Sequence, residues 1–371
     1  MNANNVLGIV YSNSFDETLG SLTARRTMGS VPFGGRYRLI DFALSNLVNC
    51  GVTKVGVIAN SNFRSLMDHV GSGRSWDLSR KVDGLVMLPP FTAVGDEQTL
   101  RNRIDVLNRN MDFISRSKQE YVLLMDTNYI CNMDLQKLFD FHTNENADIT
   151  IVTAHGKKPA LDPVMTLTVD GVKVTGVGIN TKDSGDVDYS VNTILINKAL
   201  LERLVGDAET FKHSSFEQDI IQKNADRLNI CAYKAEDWGC TVDSIQKFYD
   251  ANMALLDKNV RKSLFNPDRP VYTKVRNDMP VVYGLNSDCG NSLVADGCII
   301  EGTVKNSILF RGVRVAKGAV VENSIIMQDA FVGEDARVNC VIMDKNTVIT
   351  PKKNISGDKN YPIFVGKEIV I

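Results

Sequence analysis

Phosphate groups at the end of a strand are usually met by glycines, whose backbone N–H groups can approach closely, and by a cation. In this chain the apolar run GIVY ends at Tyr11, and the polar loop Ser12-Asn13-Ser14-Phe15-Asp16-Glu17-Thr18 follows. Asn13, Ser14, Asp16 and Glu17 stand where such loops keep glycines and positive charge. The loop is therefore either a ligand loop of another kind or a phosphate site that has been lost. Two groups of arginines could receive an anion: Arg25, Arg26, Arg36 and Arg38 close to this loop, and Arg311 and Arg314 far along the chain. Other chemistries find little support. The seven cysteines (50, 131, 231, 240, 289, 298 and 340) form no CxxC pair, so neither zinc nor a disulfide framework is indicated.

The elements that must position these residues alternate. VLGIVY, KVGVIAN, YVLLMD and DITIVTA read as strands. RLIDFALSNLVNCG reads as a helix, with Leu39, Phe42, Ala43, Asn46 and Leu47 at helical spacing and Gly51 as its stop. RIDVLNRNMDFISRS and DLQKLFDFHTNENA read as further helices. Strand–helix–strand alternation predicts an α/β, doubly wound, mostly parallel sheet of Rossmann type. Ligands in such sheets bind at the carboxyl ends of strands. That singles out the loop after GIVY and the one after YVLLMD, at Thr127-Asn128.

From about residue 259 the texture changes. A segment with three prolines, Pro267, Pro270 and Pro280, reads as a linker. Short β-rich pieces then recur, with Asn306-Ser307-Ile308, Asn323-Ser324-Ile325 and Asn339-Cys340-Val341 as a repeated motif, and glycines at 297, 302, 312, 318 and 333. This predicts a left-handed parallel β-helix of hexapeptide type, with an assembly surface at its tip or side. The expected divisions are 1–258 for the α/β unit, 259–290 for the linker and 291–371 for the β-helix. A net charge of −2 with no basic stripe argues against nucleic-acid binding. No apolar run approaches the ~20 residues that span a bilayer, and the start of the chain has no secretory pattern, so a cytoplasmic protein is expected. The histidines, at 69, 142, 155 and 213, all precede the β-helix, which argues against an acyltransferase with a β-helix histidine as base.

SVPFGGRYRLIDFALSNLVNCGV, YSVNTILINKALL, SSFEQDII and SIQKFYDANMALL occur in this order. With the C-terminal β-helix, they make the whole chain resemble the bacterial glucose-1-phosphate adenylyltransferases, or ADP-glucose pyrophosphorylases, of glycogen synthesis. The resemblance implies a reaction in which glucose 1-phosphate attacks the α-phosphorus of ATP, giving ADP-glucose and pyrophosphate. That chemistry needs phosphate donors and carboxylate-held Mg²⁺.

Residue by residue, the implied machinery is altered. The family's Gly-Gly-x-Gly-x-Arg loop falls on Asn13, Ser14, Phe15, Asp16, Glu17 and Thr18, so the glycines and the arginine are replaced and two acids are added. One like-charge contact at ~4 Å costs about 4 kcal/mol at an effective dielectric of ~20. The lysine of Arg-Ala-Lys-Pro falls on Met28, a core-filling type. The metal-holding aspartates fall on Asn128 and Thr241; Asp126 and Asp243 are nearby carboxylates displaced in register. An amide is a weaker ligand than a carboxylate for a hard cation. Gly-Thr-Ala-Asp-Ala becomes Asn102-Arg103-Ile104-Asp105-Val106. The sugar-phosphate motif Glu-Lys-Pro is absent, with only Lys182 in the corresponding region.

This pattern is most similar to the GlgD-type branch of Gram-positive bacteria. The resemblance implies a non-catalytic or weakly catalytic regulatory subunit that forms a heterotetramer with a catalytic glucose-1-phosphate adenylyltransferase subunit. It implies no metal or cofactor for this chain and Mg²⁺ in the catalytic partner. A phosphorylated metabolite or a nucleotide is the expected effector, with Arg36 and Arg38 as first candidates, then Arg25, Arg26, Arg311 and Arg314. The alternative is an active sugar-1-phosphate nucleotidyltransferase with an altered site.

Overall fold

The computed structural model describes residues 1–88, 102–182 and 185–371. Its N-terminal unit is built on a nine-stranded sheet. The strands are β1 (Val6–Tyr11), β2 (Lys54–Ile58), β3 (Gly84–Leu88), β4 (Tyr121–Asp126), β5 (Ile149–Lys157), β6 (Met165–Asp170), β7 (Lys173–Ile179), β8 (Asp186–Asn197) and β9 (Ile230–Lys234). Their order is β3-β2-β1-β4-β8-β5-β9-β7-β6. β3, β2, β1 and β4 are mutually parallel, as are β5 and β9. β8 enters antiparallel between β4 and β5, and β6 and β7 form an antiparallel extension. The sheet is thus parallel where the two candidate loops leave it and mixed beyond.

β1 shows why the apolar runs become central strands. All six of its residues are buried. Leu7, Ile9 and Tyr11 pack into the core on one face, Val6 and Val10 into the core on the other, as a period of two requires. α1 (Leu39–Asn49) lies across it so closely that a Cβ on Gly8 would sit 2.9 Å from Leu47 Cδ1. The start of α1 is fixed by Asp41, whose Oδ2 accepts the Arg38 N–H at 3.0 Å. The expected helix from Arg103 to Ser117 is instead two short helices, Arg103–Arg109 and Met111–Ser115. Asn110 breaks it by folding its amide back onto the Val106 carbonyl at 2.8 Å.

The C-terminal unit is a left-handed β-helix of three parallel five-stranded sheets. Its first coil begins at Val282–Tyr283, inside the stretch expected to be linker, because that strand pairs with Ile299–Ile300. The repeat is clearest in a buried column of serines. Ser324 N–H donates to Ser307 Oγ and Val341 N–H to Ser324 Oγ, both at 3.1 Å. Ser307 N–H donates to Ser292 Oγ at 3.1 Å, so Asn291-Ser292-Leu293 is an earlier copy of the motif. The third copy read from sequence is displaced by one residue: Glu322 pairs with Asn339 and Ile325 with Ile342. Cys340, not Asn339, takes the left-handed corner, with φ 52 against 46 for Asn323. The serine type is lost there, so composition alone suggested the wrong register.

The two units share one apolar seam. Ile308, Phe310, Ile325, Met327 and Ile342 of the β-helix pack with Leu19, Leu22, Met28, Phe33, Phe42, Phe248 and Leu264. The block VPFGGRYR supplies much of the contact. It forms a hairpin, Pro32–Phe33 against Tyr37–Arg38, turned by Gly34 and Gly35 at φ 60 and 86. A Cβ on Gly35 would lie 3.6 Å from the Leu309 carbonyl oxygen, so the hairpin tip rests on the β-helix. A buried ion pair adds to the seam: Arg26 Nη2 lies 2.8 and 2.7 Å from the two oxygens of Asp344. Among the described residues, no helix is long and apolar enough to cross a membrane.

Candidate functional site

The loop after β1 is closed by its own side chains. The Ser12 hydroxyl donates to the Ile58 carbonyl at 2.7 Å, and Gly29 N–H donates to the Ser12 carbonyl at 2.9 Å. Phe15 adopts φ 62, and a 3-10 stretch, Asp16–Leu22, follows. One oxygen of Asp16 accepts the Met28 N–H at 2.6 Å, and the other accepts the Asn13 amide at 2.6 Å. Asn13 Oδ1 in turn accepts the Asn60 N–H at 2.7 Å, and Thr18 Oγ1 donates to the Phe15 carbonyl at 2.8 Å. A carboxylate belonging to the protein thus takes the Met28 backbone donor beside this loop. Burial raises the Asp16 carboxyl to about 6, while its bond from Met28 N–H pulls the other way. Met28 is fully buried in the seam and cannot turn toward this loop.

A second internal group sits beside it. Arg103, at the start of its helix, donates from Nη2 to Asp126 at 2.7 Å, and its Nε lies 3.9 Å from Glu217. Its guanidinium also lies over the rings of Tyr11 and Phe216, 4.7 and 5.7 Å from their centroids. Ser14 Oγ donates to the other Asp126 oxygen at 2.9 Å. Burial pushes the Asp126 carboxyl up, and the Arg103 guanidinium pulls it back down. Helix geometry explains the placement: Asn102 caps the helix by accepting Asp105 N–H at 2.9 Å, which leaves Arg103 facing the end of β4.

Asn128 and Thr241 do come together. The strand Gly239–Thr241 pairs with Tyr129–Cys131, and Val242 N–H donates to the Asn128 carbonyl at 2.8 Å. Neither residue is a carboxylate, and both Asn128 amide atoms are buried without hydrogen-bond partners. The displaced carboxylates are engaged elsewhere: Asp126 by Arg103 and Ser14, Asp243 by Ala160 N–H and the Ser244 hydroxyl, both at 2.8 Å. Among the described residues, no cluster of His, Cys, Asp or Glu could hold a metal ion. The donors present therefore do not fit a hard divalent cation. In the region 176–184, Lys182 is exposed, and residues 183 and 184 lie outside the described residues.

What remains at this end of the sheet is a cavity of about 800 Å³, whose charged lining among the described residues is Asp16, Glu17, Asp162 and Glu217 with Arg103. Among the described residues, a polyanion meets net negative charge there.

A cavity of opposite sign, about 520 Å³, opens where the two units meet. Arg36 and Arg38 reach it from the hairpin, Lys274 and Arg276 from the linker, and Arg311, Lys345 and Lys367 from the β-helix. Among the described residues, only Asp68 and Asp329 oppose them in its lining. Arg38 is held by Ser65, donating to its carbonyl at 2.7 Å and its hydroxyl at 2.8 Å. Burial lowers the Arg38 guanidinium to about 10. Arg311 is buried, 6% exposed, and its Nε and Nη2 have no hydrogen-bond partner; Asp278 is 3.7 Å away.

Of the six arginines marked in the sequence, Arg36, Arg38 and Arg311 converge. Arg26 is spent on Asp344. Arg25 is exposed beside Glu368, and Arg314 lies exposed on a β-helix strand, outside the cavity lining. Lys274, Arg276, Lys345 and Lys367 were not anticipated. The alternating basic residues of TKVR were the available signal for the first two. Nothing local marks Lys345 or Lys367, because only docking of the units brings them to the hairpin.

Residues 17–161 match the family model "Nucleotidyl transferase", and residues 282–361 match "GlmU-like, C-terminal hexapeptide". The chain is similar to "Glycogen biosynthesis protein GlgD" of Bacillus subtilis (strain 168), 33% identical over 99% of this chain and 97% of that protein. It is similar to the protein of the same name from Geobacillus stearothermophilus, 34% identical over 99% and 97%. It is also similar to "Glucose-1-phosphate adenylyltransferase" of Bacillus anthracis, 29% identical over 91% of this chain and 92% of that enzyme.

Two outcomes test the geometry. Arg103→Met strands a buried carboxylate at Asp126 and should cost about 3–5 kcal/mol of stability in urea denaturation. Adding Asp126→Asn should recover much of that loss, and equal losses in the single and double variants would contradict the pairing. The second test concerns pH. The folded chain holds a proton on Asp16 up to about pH 6, whereas an unfolded aspartate releases it near pH ~4. Ionisation across that window therefore subtracts stability as pH rises. The difference in Tm between Asp16→Asn and the unaltered chain should shift in the variant's favour from pH ~4 to pH ~7; a constant difference would count against burial as the cause.

Proposed function

The chain belongs to the GlgD family of glycogen biosynthesis proteins, related to the glucose-1-phosphate adenylyltransferases, and we propose that it acts there as a non-catalytic regulatory subunit. It assembles with a catalytic glucose-1-phosphate adenylyltransferase subunit as a heterotetramer. Mg²⁺ and the in-line displacement at the α-phosphorus of ATP belong to that partner. One observation carries this reading: each position that needs a ligand group for phosphate or metal is satisfied by the chain itself or has lost its charge. Asp16 occupies the Met28 N–H, Arg103 occupies Asp126, and Asn128 and Thr241 replace carboxylates.

The regulatory role draws on what is kept. The VPFGGRYR hairpin, the seam and the cationic cavity join the sheet to the β-helix. The cavity takes a phosphorylated metabolite or nucleotide as effector, with Arg36, Arg38 and the Arg311 guanidinium, whose Nε and Nη2 make no hydrogen bond, as its donors. An anion there bridges both units, so its binding free energy acts on how they are held together.

The test of catalysis is pyrophosphate release from ATP and glucose 1-phosphate with Mg²⁺. The isolated chain should give background turnover, and mixing it with the catalytic subunit should yield a co-purifying complex with altered kcat or KM. Robust turnover by the chain alone would mark an active nucleotidyltransferase with an altered site. Failure to co-purify, with unchanged kinetics, would remove the subunit role. Separately, Arg36→Ala with Arg38→Ala should raise the half-saturating effector concentration of the mixed enzyme at least ~10-fold, as loss of charge-assisted bonds implies. Unchanged activation curves would exclude the cavity.

A further inference from the structure

Lys345 differs from the other cations of the interfacial cavity. It follows the β-helix strand Val341–Met343 and lies half-buried in the cavity wall. Its sequence neighbour Asp344 is the natural partner for its ammonium group, but both Asp344 oxygens are taken by Arg26, and one also accepts the Lys345 backbone N–H at 2.7 Å. Lys274, Arg276 and Lys367 each have a carboxylate within 3.4 Å, at Asp68, Asp278 and Glu368. Among the described residues, Lys345 Nζ has no ion pair or hydrogen bond. The groups that act on it are Arg38 from the hairpin, Arg26 from the segment before it, and Asp344 and Lys367 from the β-helix. Burial first, then the neighbouring guanidinium groups, lower its amine to about 7. An amine held near neutral beside fixed cations is the arrangement that makes a lysine nucleophilic.

We propose that Lys345 is a modification site, acylated by acyl phosphates whose phosphoryl group the cationic cavity binds. The inference rests on the anion-binding reading of that cavity. The neutral Nζ attacks the acyl carbonyl carbon, forming an N–C bond. The C–O bond to the phosphoryl group breaks, and phosphate departs with the electron pair. The proton displaced from nitrogen passes to phosphate or water, and no oxidant or reductant takes part. Arg36, Arg38 and Arg311 hold the departing phosphate and favour its negative charge. The product amide carries no charge and adds bulk inside the cavity, so acylation and effector binding exclude each other.

Acetyl phosphate is the probe, used on the full-length chain at pH ~7 with peptide mass spectrometry reading each lysine over time. An ordinary lysine is neutral in only about one molecule in 2,500 at that pH, and the lowered amine of Lys345 in a far larger share. With its lower intrinsic nucleophilicity discounted, Lys345 should acetylate at least ~10-fold faster than the median lysine. Millimolar inorganic phosphate and the exposed Arg36→Ala variant should each slow it. The succinimidyl ester of acetate, which lacks a phosphoryl group, should show no such competition. Calorimetry with inorganic phosphate measures the anion site independently. If phosphate binds but Lys345 reacts no faster than the median, the modification is refuted and the anion site stands. If phosphate neither binds nor competes, phosphate-directed acylation and the anion reading both fall.

Discussion

The seam between sheet and β-helix constrains the rest of the molecule. It is apolar through Met28, Phe33, Phe42, Ile308, Ile325 and Ile342, and it holds a buried charge pair, Arg26 with Asp344. Burying such a pair is costly unless its hydrogen bonds are complete, and removing one partner costs more than removing both. Here both Asp344 oxygens are engaged by Arg26 Nη2, while Arg26 Nη1 has no hydrogen-bond partner, and the pair ties the N-terminal segment to the β-helix. Met28 is committed to the seam by its side chain and to the loop by its N–H, which Asp16 accepts. Docking of the units and closure of the loop therefore meet at one residue. A lysine side chain at that position would have to place its charge among apolar groups, a cost of several kcal/mol unless the seam opened.

The same principle accounts for the opposite characters of the two cavities. At the end of β1 the chain supplies its own anion, Asp16, and its own cation, Arg103, and both are paired with groups of the protein. Those two pairings need no ligand, although Arg103 Nη1 and both Asn128 amide atoms are left without partners, and the described lining carries a surplus of negative charge. At the seam the reverse holds: cations from hairpin, linker and β-helix face one another with few acids between them. Arg311 leaves two donors without hydrogen bonds in a buried setting, with Asp278 at 3.7 Å, an arrangement that an anion from solution would relieve.

Much of this was legible in the sequence, and the misses have physical causes. β1 and β4 announced themselves as unbroken apolar runs because they are buried on both faces. α1 was readable from its spacing. The Arg103–Ser117 helix was not readable as two pieces, since Asn110 breaks it through a side-chain bond that periodicity does not encode. The β-helix was readable from its serine motif, but Cys340 took the corner where Asn was expected, and the register slipped by one. The altered loop could be placed by counting back from VPFGG. That Asp16 would accept the Met28 N–H depended on a contact twelve residues away. The basic cavity was only half legible: Arg36 and Arg38 stood out in a dense block, whereas Lys345 and Lys367 join them only through tertiary docking.

The central claim is that the chain's own side chains occupy the nucleotide end of the sheet. Amide hydrogen exchange of the isolated protein, with and without Mg²⁺, ATP and glucose 1-phosphate, tests it most directly. The account predicts unchanged exchange at residues 12–18 and 126–129, with any protection confined to the hairpin and the cationic cavity. Strong ligand-dependent protection of the loop after β1 would contradict it.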